Sequence, residues 1–247
     1  CETQEDFGLR LSSIWEGMQR PMMVALPELA QRLPEMMASV TGGAIAQCLS
    51  TADLVDGVSP VEMWSPSYPH ESAVIIFGAD HNDSSRGVCL THQNVLCTAA
   101  GVVEHRGGSW ADVFCGGMPL HRETGLIGFH LTPVIAAATQ VLIEPEHLML
   151  DAHLWLKVLD NYRVTITALQ AEAIETLLIE TRELTYATFD LSSVRLLMCG
   201  SENIRTPQVT SLVKTLECFG LSADAFCPAY GVLEATLAVT MWAPGAV

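Results

Sequence analysis

Four short segments hold most of the residues that could bind or transform a ligand: Phe77 to Gly87 (FGADHNDSSRG), Met118 to Gly125 (MPLHRETG), Cys199 to Asn203 (CGSEN) and Tyr230 to Thr236 (YGVLEAT). In the first, Arg86 could meet an anion with His81 and Ser84 as further donors. Asp80, Asn82 and Asp83 offer oxygen atoms to a cation, but the spacing lacks the glycine and the distal glutamate of a calcium loop. The second segment carries His121, Arg122 and Glu123, the third Ser201 and Glu202, and the fourth Tyr230 and Glu234. No G-x-S-x-G elbow is present, and the eight cysteines include no C-x-x-C pair, so serine hydrolysis and zinc binding have no local signature. The cysteines sit mostly in apolar runs, which predicts reduced core thiols. Singly, each of the four segments also reads as a plain turn at a strand end.

The elements that must position these loops emerge from the hydrophobic pattern. With 247 residues, 49% of them hydrophobic, the chain can bury a sizeable core. Strands are predicted over 73–77, 112–115, 140–143, 164–169 and 194–199. Helices are predicted over 91–104, 126–138, 152–162, 171–183 and 207–219. This alternation predicts an α/β fold with a mainly parallel sheet flanked by helices, in which ligands sit at the carboxyl ends of strands. Ahead of it, Leu26 to Met37 reads as an amphipathic helix interrupted by Pro34, and Ser59 to Pro69 as a proline-rich connector. A boundary is placed at Tyr68, giving a partial N-terminal segment (1–68) and an α/β domain (69–247).

The formal charge of −16, with only two lysines, excludes nucleic acid and anionic lipid as expected partners. The longest apolar stretch, Leu126 to Ile143, is broken by His130, Thr132 and Gln140, so no membrane span is expected. The acidic start has no basic n-region, which makes the cytoplasm the expected compartment.

In order and spacing, the four loops resemble the core motifs of the adenylate-forming (AMP-binding) superfamily, over roughly Ala73 to Val239. PLHRETGLIG at Pro119 to Gly128 is similar to the PLYHDMGLIG of fatty acyl-AMP ligases, FDLSSVRLLMCGSENIR to their segment ending NGAEPVR, and YGVLEAT to their YGLAEAT. The resemblance implies the fold of the large N-terminal domain of such enzymes. It also implies attack of a fatty acid carboxylate on Mg·ATP to give acyl-adenylate, then transfer to an acyl carrier protein. It assigns Tyr230 and Gly231 to the adenine site, Glu234 to Mg²⁺, Gly200, Ser201 and Glu202 to the nucleotide pocket, and Gly125 to the second motif. The bland alternatives are a core role for Tyr230 and a helix N-terminal charge for Glu234. His92 matches a family histidine and reads as a structural residue at a helix start.

The pattern departs at the phosphate loop. The family's loop resembles TSGSTGxPKGV, whereas this chain has Gly78 to Val88 with Asp80 and Asp83 at the internal glycine positions, Arg86 for the lysine, and Gly87 kept. One carboxylate 4 Å from one phosphate charge costs about 4 kcal/mol at an effective dielectric of ~20. His121 and Glu123 likewise replace the family's tyrosine and aspartate. The chain stops soon after the YG motif, without counterparts of the ribose-binding aspartate, the hinge or the C-terminal lid domain. These features leave three readings. The first is a catalytically degenerate domain keeping an acyl or nucleotide pocket or a protein-binding role, with other domains of the same polypeptide as partners. The second is an active ligase using ATP and Mg. The third is a scaffold without ligand.

Overall fold

The computed structural model describes residues 4–41, 47–55, 65–77, 86–145, 147, 151–171, 173–181, 189–200 and 204–242. The chain divides into two compact units, Cys1–Tyr68 with Phe77–Val88, and Pro69–Ile76 with Cys89–Val247. In the first unit, helix α1 (Gln4–Gly17) packs on α2 (Pro27–Val40), beside the parallel pair β1 (Met23–Ala25) and β2 (Cys48–Ser50). The expected interruption at Pro34 does not occur, because α2 runs through it. Proline removes one hydrogen bond, but the buried stripe Ala30, Leu33 and Met37 holds the helix by packing, which contributes more than any single backbone bond.

The second unit is built on a six-stranded sheet in the order β10-β9-β8-β7-β5-β6. Its strands are β5 (Val113–Gly116), β6 (Thr139–Leu142), β7 (Ile166–Gln170), β8 (Leu196–Gly200), β9 (Phe226–Gly231) and β10 (Ala238–Met241). All neighbours are parallel except β9 and β10. Period-two alternation sorts the core. Phe114, Ile166, Ala168, Leu196 and Cys227 share one layer with Phe129. The next residues along, Cys115, Leu169, Leu197 and Cys199, lie in the other. That second layer is closed by Leu156 and Leu159 of α5 (Ala152–Asn161), Ile174 and Leu177 of α6 (Ala173–Thr181), and Leu212 and Leu216 of α7 (Thr206–Glu217). Burial on both faces explains why the strands read as continuous apolar runs. The mainly parallel α/β architecture is as expected.

Three details differ from expectation. The segment anticipated as one α-helix over 126–138 is a π-helix, Thr124–Leu131, followed by one α turn, α4 (Thr132–Ile135). The Thr132 N–H reaches back five residues to the Ile127 carbonyl, and its hydroxyl donates to the same oxygen at 2.6 Å; Pro133 then supplies no N–H. A second difference is that β3 (Ser72–Phe77) pairs with an unanticipated strand, β4 (Gly87–Thr91), in a separate two-stranded sheet. Third, only some thiols are core: Cys115, Cys199 and Cys227 are buried, whereas Cys89, Cys97 and Cys218 are exposed. Helix α3 (His92–His105) starts at His92 under a capping box, in which Thr91 Oγ1 accepts from Asn94 N–H at 3.1 Å and Asn94 Oδ1 accepts from Thr91 N–H at 3.0 Å. Among the described residues no helix is long and apolar enough to cross a membrane.

Candidate functional site

The chain passes from β5 to β6 on one side and then returns to lay β7 on the other side of β5, so the strand order reverses between β5 and β7. Loops leaving neighbouring strands part at such a reversal, and the crevice at the carboxyl ends is where open α/β sheets hold ligands. Here the Gln170 side chain, ending β7, donates to Met118 Sδ just beyond β5 at 3.4 Å, so the two residues meet across the reversal. Neither stands out in the sequence as a binding residue; only their position after a strand marks them.

Glycines let the backbone close up around this edge. A Cβ on Gly125 would fall onto the Pro119 carbonyl, one on Gly200 onto the Ala229 carbonyl, and one on Gly231 onto the Leu237 carbonyl. A Cβ on Gly116 would lie 2.8 Å from Phe129 Cβ. The second, third and fourth motif loops are thus held by glycine-only approaches, which polar chemistry alone would not require. Gly200 lies against the residue preceding Tyr230, and Leu237 packs over Gly128 of the π-helix. These contacts bring three of the four candidate loops to one edge.

Tyr230 sits at the end of β9 with 57% of its surface exposed, which excludes the core reading. Glu234 occupies a single 3₁₀ turn, Leu233–Ala235, with its side chain exposed. The chain then reverses at Thr236, whose φ of 75° and ψ of −46° are strained for a β-branched residue, at a cost of about 1–3 kcal/mol. In the second motif His121 is exposed, and Glu123, at the head of the π-helix, is half-buried and accepts from the Thr124 hydroxyl at 3.4 Å. Behind it, His130 Nδ1 lies 3.0 Å from Gln140 Oε1. Arg86 is exposed immediately before β4, and Gly87 is the first residue of that strand. Asp80, His81, Asn82, Asp83, Ser84, Ser201 and Glu202 lie outside the described residues.

Charge is handled differently at the opposite, amino edge. Arg195 grips Asp112 through Nε and Nη2, both at 2.9 Å, and Asp112 also accepts from the Thr165 hydroxyl at 2.7 Å and the Ser109 N–H at 2.8 Å. Burial alone would raise the Asp112 pKa, but these bonds and the Arg195 charge hold it below the ordinary carboxylate value. Arg195 also donates to the carbonyls of Arg106 and Gly107, tying the end of α3 to the sheet. Nearby, Asp190 accepts from Ser192 and from Arg163, the latter at 2.6 Å, which lowers its pKa to about 2. The FDLSS sequence is therefore a structural clamp. Burial pushes the Cys115 thiol up to about 12, and raises Cys227 although the Arg106 guanidinium lies against its sulfur.

Among the described residues no three His, Cys, Asp or Glu side chains converge as a metal site. A lone exposed carboxylate such as Glu234 fits Mg²⁺ only when substrate phosphates supply most of the oxygens.

A family model described as AMP-binding enzyme matches residues 85–246. A putative ligase of Mycobacterium tuberculosis is 30% identical over 224 residues, covering 89% of this chain and 38% of that protein. A medium-chain-fatty-acid–acyl-carrier-protein ligase of Moorena producens is 29% identical over 168 residues, covering 68% of this chain and 28% of its own length. The chain thus spans about a third of these relatives. The crystal structure of a fatty acyl-adenylate ligase from Legionella pneumophila, in complex with acyl adenylate and pyrophosphate, superposes with a TM-score of 0.82 at 20% identity, over 98% of this chain and 42% of that one. At that identity the likeness is one of fold.

Proposed function

The chain belongs to the AMP-binding enzyme family, and from that premise we propose that it is the nucleotide-holding part of a fatty acyl-AMP-ligase-like protein whose phosphate loop is impaired. In this reading the exposed face of Tyr230 receives the adenine. Gly200 and Gly231 keep side chains away from it, with Ser201 and Glu202 completing the nucleotide pocket. The carrying observation is that the open Tyr230 ring and the exposed Glu234 share one sheet edge with backbone closed by glycine. Fatty-acid ligase names among the relatives support the acyl class of ligand.

Asp80 and Asp83 set two carboxylates where the family's glycines approach phosphate, so binding of the multiply charged triphosphate is weakened more than binding of an acyl-adenylate with its single phosphate charge. Bound Mg²⁺ would neutralise phosphate charge, with Glu234 as the protein's donor. An acyl carrier protein, or other domains of the same polypeptide, is the proposed partner, and the cytoplasm the proposed compartment. The test is a thermal-shift titration of wild type and Asp80→Gly/Asp83→Gly with Mg·ATP and with dodecanoyl-sulfamoyl-adenosine, a non-hydrolysable acyl-adenylate mimic. A ligand at a hundred times its Kd adds about 2.7 kcal/mol. The expected result is a shift with the mimic alone for wild type, and with both ligands for the double variant. Absence of any shift with the mimic would overturn the reading.

A second reading, a working ligase, is favoured by Arg86, which is exposed beside Gly87 and available to an anion. ATP–pyrophosphate exchange by the wild type would establish it in place of the first.

A further inference from the structure

The hairpin joining β9 to β10 contains a residue whose conformation its own type disfavours. β9 and β10 pair antiparallel with Gly231 opposite Ala238 and Tyr230 opposite Thr240, and the register shifts between Ala238 and Thr240. Between them, the Ala235 N–H bonds to the Val232 carbonyl at 3.0 Å and the Thr236 N–H to the Leu233 carbonyl at 2.8 Å, closing the turn that carries Glu234. The reversal falls on Thr236, in left-handed backbone. With its negative ψ this conformation lies near the γ-turn that is rare and strained for residues with a Cβ and easiest for glycine; a β-branched residue is a true outlier there. Yet Thr236 is only 5% exposed, so its side chain fills a buried position that glycine would leave empty. Leu237 is tightly seated as well: its carbonyl abuts Gly231, and its side chain lies over Gly128.

We propose that Thr236 is a positioning residue, whose buried, stiff side chain locks the reversal and thereby fixes the Glu234 turn relative to the Tyr230 ring. A β-branched residue has few rotamers and a narrow backbone range, so once packing has forced it into this conformation the turn has little freedom left. Glycine at the same place would relieve the strain but release the turn. The proposal rests on the adenylate site described above for its functional consequence, not for its structural content.

The test uses the full polypeptide with Thr236→Gly and the isosteric Thr236→Val, and reads amide hydrogen exchange over 231–238, melting temperature and affinity for dodecanoyl-sulfamoyl-adenosine. In Thr236→Gly, exchange at Glu234 to Leu237 should rise at least tenfold, with melting within a few degrees of wild type and affinity about tenfold lower. Thr236→Val keeps the branched shape and should match wild type within about twofold in both exchange and affinity. Unchanged exchange in Thr236→Gly would overturn the proposal, as would Thr236→Val loosening as far as glycine does. If wild type does not bind the mimic, the adenylate reading fails, and the exchange data alone still decide whether Thr236 locks the turn.

Discussion

The two edges of the six-stranded sheet use the same residue types to opposite ends. At the amino edge two carboxylates are spent on the fold: Asp112 takes hydrogen bonds from Arg195, Thr165 and Ser109, and Asp190 from Arg163 and Ser192. At the carboxyl edge Tyr230, Glu234 and His121 stand open to solvent, while the backbone beneath them is closed by glycines and one strained threonine. Stability and binding are thus divided between the two ends of the strands. Pairing a carboxylate lowers its pKa and stabilises the native state, whereas leaving an aromatic or acidic group uncommitted keeps it available to a ligand.

The largest effect is expected at Asp112. Asp112→Ala leaves Arg195 without its carboxylate, and unfolding in urea should show a loss of about 2–3 kcal/mol, below the range for a wholly buried pair because Arg195 is partly open to water. Ligand affinity of the folded protein should not change. Because the folded pKa of Asp112 lies below its unfolded value, its contribution is complete above the unfolded pKa of about 3.9 and is lost as pH falls through the folded one. The urea midpoint of wild type should therefore drop on acidification below about pH 4, and that of Asp112→Ala should drop less. Equal slopes would remove Asp112 from the account.

Gly125→Ala probes the other edge through the backbone. The added methyl meets the Pro119 carbonyl, so a loss of about 1–3 kcal/mol is expected, accompanied by weaker adenylate-mimic binding. Tyr230→Ala should separate binding from stability most cleanly. Stability should stay within about 0.5 kcal/mol, since the ring is exposed, while calorimetry should show mimic binding weakened by about 1–3 kcal/mol, the usual worth of a base stacked on an aromatic ring. A stability loss without a binding loss would return Tyr230 to a structural role. The smallest effect is local: the Asp190 carboxyl, followed by NMR, should titrate at about 2 in wild type and move up in Arg163→Ala.

Much of this is legible from residue order. Strands such as Ile166–Gln170 and Leu196–Gly200 are apolar runs long enough for a fully buried parallel strand, and the helices between them carry 3.6-residue periodicity. The π-helix is not legible, since its pitch depends on where the Thr132 hydroxyl finds an acceptor rather than on an apolar period. The continuity of α2 through Pro34 is hidden for another reason: the local cost of proline is visible in sequence and the compensating burial of Leu33 and Met37 is not. FDLSS stands out in sequence only as part of a family likeness; in the fold Asp190 ties together the turns that precede β7 and β8, at the far edge.

By itself the sequence determined the family and the alternation of strand and helix, because these depend on residue identity and on periods of a few residues. Tertiary structure alone decided which loops share an edge, that Gln170 meets Met118 at the strand reversal, that Tyr230 is open while Asp112 is sealed, and that Thr236 bears the turn. Each of those depends on residues far apart in the chain being brought together by sheet order, or on a backbone angle that packing imposes against local preference.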